Sequence, residues 1–252
     1  MKRLLSLAAS LASLTVASAA FASASLTFNA DWSVVRAGQP TTAAPLFISY
    51  NTNRLPQCRG TGWTITGYQM TNRGPVSSFP VASAATPGTT ASVALNLATG
   101  GDLELWFQVT DSTGCSAWDS NYQYNFHADV LQNPTLTYAD NGSESQYGTI
   151  TGGSTLMVDY DIDRLGQCRL GYMNFKTWNV HVHYRIDGGA EQVLPLTVAW
   201  GQFDLEFRRQ TPAFIPIPVG ASEVELWFVG TDRGNCVQYD SEYGQNYVYT
   251  VQ

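Results

Sequence analysis

His181 and His183 stand two residues apart, so on an extended segment they project side by side. Two imidazoles at that spacing can hold a metal, but a site needs a third ligand, and the sequence offers none nearby. The pair can equally contact a ligand or form a plain solvated strand face. Asp159, Asp161 and Asp163 share a face in the same way and offer the hard oxygens that calcium takes. Arg164 and Arg169 are the alternative partners for their charge. Glu104 with Asp111, and Glu225 with Asp232, could pair as glycosidase carboxylates, but both sets lie in a repeated segment and read as scaffold. Neither Gly-x-Ser-x-Gly nor His-Glu-x-x-His occurs. No catalytic residue is therefore assigned. The strongest motif is Trp118-Asp119-Ser120-x-Tyr122-x-x-Asn125, which returns as Tyr239-Asp240-Ser241-x-Tyr243-x-x-Asn246. Asp and Asn hold tight loops through their own backbone. Such a loop presents Trp118 or Tyr239 at its tip, beside amide groups. Trp106 and Trp227 are further candidates on a non-core strand face.

These residues are set in a duplicated unit. From Leu103 to Phe126 a second copy runs without a gap at a constant offset of 121, as in Leu103/Val224, Phe107/Phe228 and Phe126/Tyr247. Upstream the offset is 110, as in Phe28/Tyr138, Tyr50/Tyr160, Arg54/Arg164 and Cys58/Cys168. Alternating apolar residues (Leu46, Ile48, Tyr50; Leu156, Val158, Tyr160; Leu103, Leu105, Phe107, Val109) predict half-buried strands. On the strand from Trp178 to Ile186, the residues Trp178, Val180, Val182 and Tyr184 form the apolar face. His181, His183 and Arg185 then face the other way. The first copy carries Gly67 and Gln69 in this segment, so a role for His183 is expected of the second copy alone. Asn72-Arg73-Gly74 and Asp187-Gly188-Gly189 read as hairpin turns. A last strand is expected from Tyr122 to Ala128, and from Tyr243 to Val251.

About seven strands in about 110 residues per copy predict an all-β protein of two tandem immunoglobulin-like β-sandwich domains. The expected boundaries are 25–132 and 133–252. Residues 1–24 read as a signal peptide: Lys2-Arg3, an apolar run from Leu4 to Val16, then small residues at Ala22-Ser-Ala24. That run is too short and too rich in Ala and Ser for a membrane span. The protein is thus expected outside the cell or in the periplasm. A net charge of −7 without a basic patch argues against nucleic acid as a partner.

Four cysteines allow three pairings. Pairing within copies, Cys58–Cys115 and Cys168–Cys236, keeps the two units equivalent. Without any Cys-x-x-Cys, a zinc site is not expected, and no other metal or cofactor is assigned.

Trp118-Asp119-Ser120-Asn121-x-x-x-Asn125-Phe126 and Tyr239-Asp240-Ser241-Glu242-x-Gly244-x-Asn246-Tyr247 resemble the Trp-Asp-Asn-Asn-x-Gly-x-Asn-Tyr signature of starch- and glycogen-binding modules. The segments Leu103 to Phe107 and Val224 to Phe228, each with an Asp four residues on, are similar to the stretch that precedes it. Val180-His181-Val182-His183-Tyr184 is similar to an earlier strand. The Asn-Asn pair has become Ser-Asn or Ser-Glu, and cysteines are added. As a whole the chain resembles secreted bacterial families of tandem cysteine-bearing lobes. The resemblance implies a non-catalytic carbohydrate-binding protein, with an α-glucan as the first ligand to consider. Its contacts would come from His181, His183, Tyr239, Asp240 and Asn246, and from Trp118, Asp119 and Asn125. The second copy is expected to bind better, because it alone has His183, Gly244 and Tyr239. The expected partner is a polysaccharide or a cell-envelope component. The alternative is an extracellular structural, adhesive or protein-interaction role.

Overall fold

The computed structural model describes residues 23–173, 175–200 and 207–252. The expected signal peptide lies outside them but for its last two residues. Among the described residues the first lobe holds strands β1 (Ser25–Phe28), β2 (Val34–Ala37), β3 (Leu46–Asn51), β4 (Thr64–Thr71), β5 (Ser77–Ser83), β6 (Thr90–Leu95), β7 (Gly101–Thr110), β8 (Ser116–Asp119) and β9 (Phe126–Val130). The second holds β10 (Thr135–Tyr138), β11 (Glu144–Tyr147), β12 (Thr155–Tyr160), β13 (Gly171–Tyr172), β14 (Phe175–Lys176), β15 (Trp178–Ile186), β16 (Gln192–Pro195), β17 (Thr197–Trp200), β18 (Phe207–Gln210), β19 (Ala213–Pro216), β20 (Glu223–Asp232), β21 (Val237–Asp240) and β22 (Tyr247–Thr250). No helix among these residues is long and apolar enough to cross a membrane.

Each lobe is a sandwich of two sheets. In the first, β2-β1-β3-β6 faces β5-β4-β7-β8, with β9 also on β7. In the second, β11-β10-β12-β19 faces β16-β15-β20-β21, with β22 on β20. The expected all-β class is thus borne out, and each lobe has its own disulfide. In both lobes the first strand runs parallel to the third and antiparallel to the edge strand between them in sequence.

The period of two puts one face of every strand inside. Phe28, Tyr50 and Phe107 meet there, with ring centroids 4.9 Å (Phe28–Phe107) and 4.2 Å (Tyr50–Phe107) apart. Tyr138, Tyr160 and Phe228 repeat the cluster at 4.6 Å and 4.0 Å. Burial of each such side chain contributes about 1.5–3 kcal/mol. Cys58 joins Cys115 across 57 residues and Cys168 joins Cys236 across 68, the within-copy pairing. Loops of that length remove about 4 kcal/mol of unfolded-state entropy in the chain-entropy account.

The growth of the repeat offset has a structural cause. Trp63 and Trp178 differ by 115 positions, and each carries an arginine over its ring, Arg59 at 4.0 Å and Arg169 at 3.6 Å. Between cysteine and tryptophan the second lobe inserts the β13–β14 ribbon. Between β16 and β19 it inserts the β17–β18 ribbon. Neither ribbon has a counterpart in the first lobe.

The strand register corrects one expectation. Tyr68 lies opposite Trp106, and His183 lies opposite Trp227. The counterpart of His183 is therefore Tyr68, not Gly67. A one-residue slip exchanges the two faces of a strand. Gly67 faces the core, where an added Cβ would come within 2.3 Å of the Phe79 ring. The last strand of the first lobe also starts later than expected, at Phe126. Asn121, Tyr122, Gln123 and Asn125 all have positive φ (47°, 57°, 77° and 55°) and form a loop instead.

Candidate functional site

Strand alternation separates the two leading residues of the loop motif. On β8, Trp118 points out and Asp119 points in. Arg54 Nε donates to Asp119 Oδ2 at 2.7 Å, and both side chains are almost wholly buried. The Tyr50 hydroxyl donates to the same oxygen at 2.9 Å. Arg54 Nη1 donates to the carbonyl oxygens of Asn29 (2.9 Å) and Ser33 (3.2 Å), which ties down the β1–β2 hairpin. Burial, and then the Asp119 charge, push the Tyr50 phenol far above its ordinary range, so it stays a donor. In the second lobe Arg164 Nε and the Tyr160 hydroxyl both meet Asp240 Oδ2 at 2.9 Å, and the Tyr247 hydroxyl donates to Oδ1 at 2.5 Å. The closing asparagines are anchored too. Asn125 Nδ2 donates to Glu104 at 3.2 Å and Asn246 Nδ2 to Glu225 at 2.6 Å. Both sit at positive φ, a conformation that Asn tolerates. Asp119, Asp240, Asn125 and Asn246 thus brace the loop, and Trp118 and Tyr239 are what it displays.

Above the Arg54–Asp119 pair lies a cleft of about 640 Å³ lined by Trp32, Trp118, Tyr122, Phe126 and the loop residues 120–123. Trp32 is 54% exposed, Trp118 52% and Tyr122 90%. Trp32 projects from the β1–β2 hairpin at φ 68°, with the Arg54 guanidinium 4.9 Å from its ring. Trp118 also belongs to an aromatic row on the outer sheet face. Its ring centroid lies 5.9 Å from Tyr68, which stacks on Trp106 at 5.7 Å. The Tyr68 hydroxyl donates to Gln108 Oε1 at 2.9 Å. Apolar walls with a few polar groups at that volume suit a small-molecule or oligomer site.

The corresponding cleft of the second lobe, about 760 Å³, is lined by Asp140, Glu144, Arg164, Tyr239, Glu242 and Tyr243, with Gly142 where the first lobe has Trp32. Neither histidine lines it. His183 lies on the outer face of β15, with Nδ1 2.8 Å from Glu191 and its ring 5.6 Å from Trp227. Burial, and then the neighbouring His183, lower the pKa of His181. Trp227 is itself largely covered, with Arg185 5.0 Å over its ring. The first cleft is walled by Trp32, Trp118 and Tyr122, and the second by Tyr239 and Tyr243 with no counterpart of Trp32. Trp32 and Tyr68 were not signalled by the motif. The only hint of Trp32 is a large aromatic at a hairpin tip where the other copy has glycine.

The three aspartates do not converge. Asp163 is exposed and lies 3.9 Å from Arg169, whereas Asp159 and Asp161 line a cavity of about 370 Å³ between the lobes. Facing them are Asp102, His127 and Asp129 of the first lobe and Arg209 of the second. Arg209 donates to Asp102 Oδ2 at 2.5 Å and to Glu104 Oε1 at 3.1 Å. The guanidinium supplies the positive charge among these carboxylates.

Residues 21–252 match the model of a family described as a family of unknown function, DUF6209. No curated protein matches. Among solved structures, SGBP-B of the Bacteroides ovatus mixed-linkage glucan utilization locus, in complex with a mixed-linkage heptasaccharide, is 12% identical, with a TM-score of 0.20. The alignment covers 77% of this chain and 42% of that one. The Gamma-CGTase of Alkalophilic bacillus clarkii is 14% identical, with a TM-score of 0.21, over 73% of this chain and 22% of that one. The chain thus spans less than half the length of either.

Proposed function

We propose that this chain, which belongs to the DUF6209 family, is a non-catalytic carbohydrate-binding protein that works outside the cytoplasm. One observation carries the reading: Trp32, Trp118 and Tyr122 stand exposed around one cleft whose floor is a self-satisfied ion pair. Pyranose rings present apolar CH faces that stack on such rings, while their hydroxyls take the amides of the 120–123 loop. The Arg54–Asp119 pair is buried and mutually bonded, so it supports binding and offers no proton to a reaction. The first lobe is the principal site, and a neutral glycan, with α-glucan the first candidate, is its ligand. The two disulfides suit an oxidising compartment. A glycan array probed with the oxidised protein tests the reading. Saturable binding to a neutral glycan is expected, and an array silent at every glycan overturns it.

A second reading, docking to a protein of the cell envelope, is favoured by a separate feature. Leu170, Tyr172 and Met173 stand exposed together at the β13–β14 ribbon, which only the second lobe possesses.

A further inference from the structure

Trp118 stands at the edge of its sheet. It lies on β8, at the end of the order β5-β4-β7-β8, and is half exposed. A ring in that position turns about two torsions, and a ligand that stacks on it must bear the cost of stopping them. In the first lobe the ring is already held. Tyr68 reaches from β4 across β7, and its ring centroid lies 5.9 Å from that of Trp118. Tyr68 also stacks on Trp106 at 5.7 Å and an interplanar angle of 9°. Its hydroxyl donates to Gln108 Oε1 at 2.9 Å, and Gln108 Nε2 donates to Ser116 Oγ at 3.5 Å. Gln108 lies directly opposite Trp118 on the β7–β8 ladder, and Ser116 precedes Trp118 by two residues on β8. The ring contact and the hydrogen-bond chain thus converge on Trp118 and its strand.

Tyr68 does not line the cleft, so whatever it does for a ligand there passes through Trp118. We propose that Tyr68 is a positioning residue of the first-lobe site: backed by Trp106 and anchored through Gln108, it fixes the Trp118 ring before a sugar arrives. The inference rests on the glycan reading of that cleft.

The second lobe is the internal comparison, because it keeps the strands and lacks the chain of contacts. Trp227 stands for Trp106, His183 for Tyr68 and Tyr239 for Trp118, but Val229 replaces Gln108 and Val237 replaces Ser116. A valine side chain neither donates nor accepts a hydrogen bond. His183 is held from the opposite edge. Its Nδ1 lies 2.8 Å from Glu191, in the turn before β16, and β16 and β21 are the two ends of the order β16-β15-β20-β21. The imidazole is thus tied toward β16, whereas Tyr239 lies on β21. The same scaffold therefore displays a braced ring in one lobe and a ring without that brace in the other.

The test compares the oxidised full chain with Tyr68→Leu, Trp118→Ala and the double variant. In the free protein, NMR relaxation of the Trp118 indole N–H, assigned by its loss in Trp118→Ala, should give a lower order parameter in Tyr68→Leu than in wild type. Calorimetric titration with maltoheptaose should find Tyr68→Leu weaker by about two- to tenfold. In the Trp118→Ala background the same substitution should cost nothing further, because the ring it serves is gone. Gln108→Val, which copies the second lobe, should lower the order parameter too, and it decides the matter should Tyr68→Leu fail to fold. An unchanged indole order parameter, or an equal loss of affinity with and without Trp118, overturns the proposal. Wild type that ignores maltoheptaose counts against the glycan reading, and the indole measurement then decides the role of Tyr68 by itself.

Discussion

Arg54 and Asp119 meet at 2.7 Å in the interior of the first lobe, and Arg164 and Asp240 repeat the meeting at 2.9 Å in the second. The pair fastens the display loop to the turn after β3, and Arg54 also fastens the β1–β2 hairpin. One knot thus places Trp32 and Trp118 about the same cleft. The second lobe keeps the knot, with Tyr239 and Tyr243 on its loop, and has Gly142 where Trp32 stands in the first.

Asp119→Asn leaves a buried guanidinium without its counter-charge. The loss is expected to be about 3–5 kcal/mol. Asp240→Asn should cost less, because Arg164 and Asp240 are partly solvated and Arg164 also reaches Glu144. Urea unfolding of the oxidised variants compares them. A larger loss for Asp240→Asn would contradict the assignment.

Gly67→Ala tests the corrected register. Its Cβ meets the Phe79 ring at 2.3 Å, and overpacking of this kind costs about 1–3 kcal/mol. Phe79→Leu in the same chain should recover part of that loss, as read by thermal unfolding. Were Gly67 on the outer face, Ala would be tolerated unaided.

Asp159→Asn should stabilise the protein at neutral pH. Burial, together with the charges of Asp129, Asp161 and Asp102, raises the Asp159 pKa above 3.8, against a hydrogen bond from Gln210. A carboxyl whose folded pKa is raised binds its proton more tightly in the native state. Its ionisation therefore weakens the native state as pH climbs from about 3.8 through the folded value. The advantage of Asn should be present at pH 7 and vanish below about pH 3.8. Thermal unfolding across that range measures it, and a variant less stable than wild type at neutral pH would contradict it.

Much of this architecture was legible in the sequence. The gapless repeat around Leu103 and Val224, the period of two and the paired cysteines led to two sandwiches with one disulfide each. The position of His183 in the repeat was not legible, because insertions hide the register and a slip of one residue replaces Tyr68 with Gly67. The role of Asp119 was readable in principle: it alternates with Trp118 on one strand, and Arg54 recurs at the same offset as Tyr50. Trp32 was not legible because it lies 86 positions before Trp118 and is joined to it through the Arg54 knot. Arg209 sits in a ribbon with no counterpart, so the repeat could not point to it.

The central claim is that exposed aromatic rings of the first lobe bind a neutral glycan. Affinity electrophoresis in soluble starch and in glycogen, with wild type, Trp118→Ala and Tyr239→Ala side by side, tests it most directly. Wild type is expected to be retarded. Trp118→Ala should lose about tenfold in affinity, for a stacking contribution on the order of 1.5 kcal/mol, and Tyr239→Ala should stay close to wild type. Wild type that migrates as in a plain gel, or Trp118→Ala that is retarded as strongly as wild type, would contradict the claim.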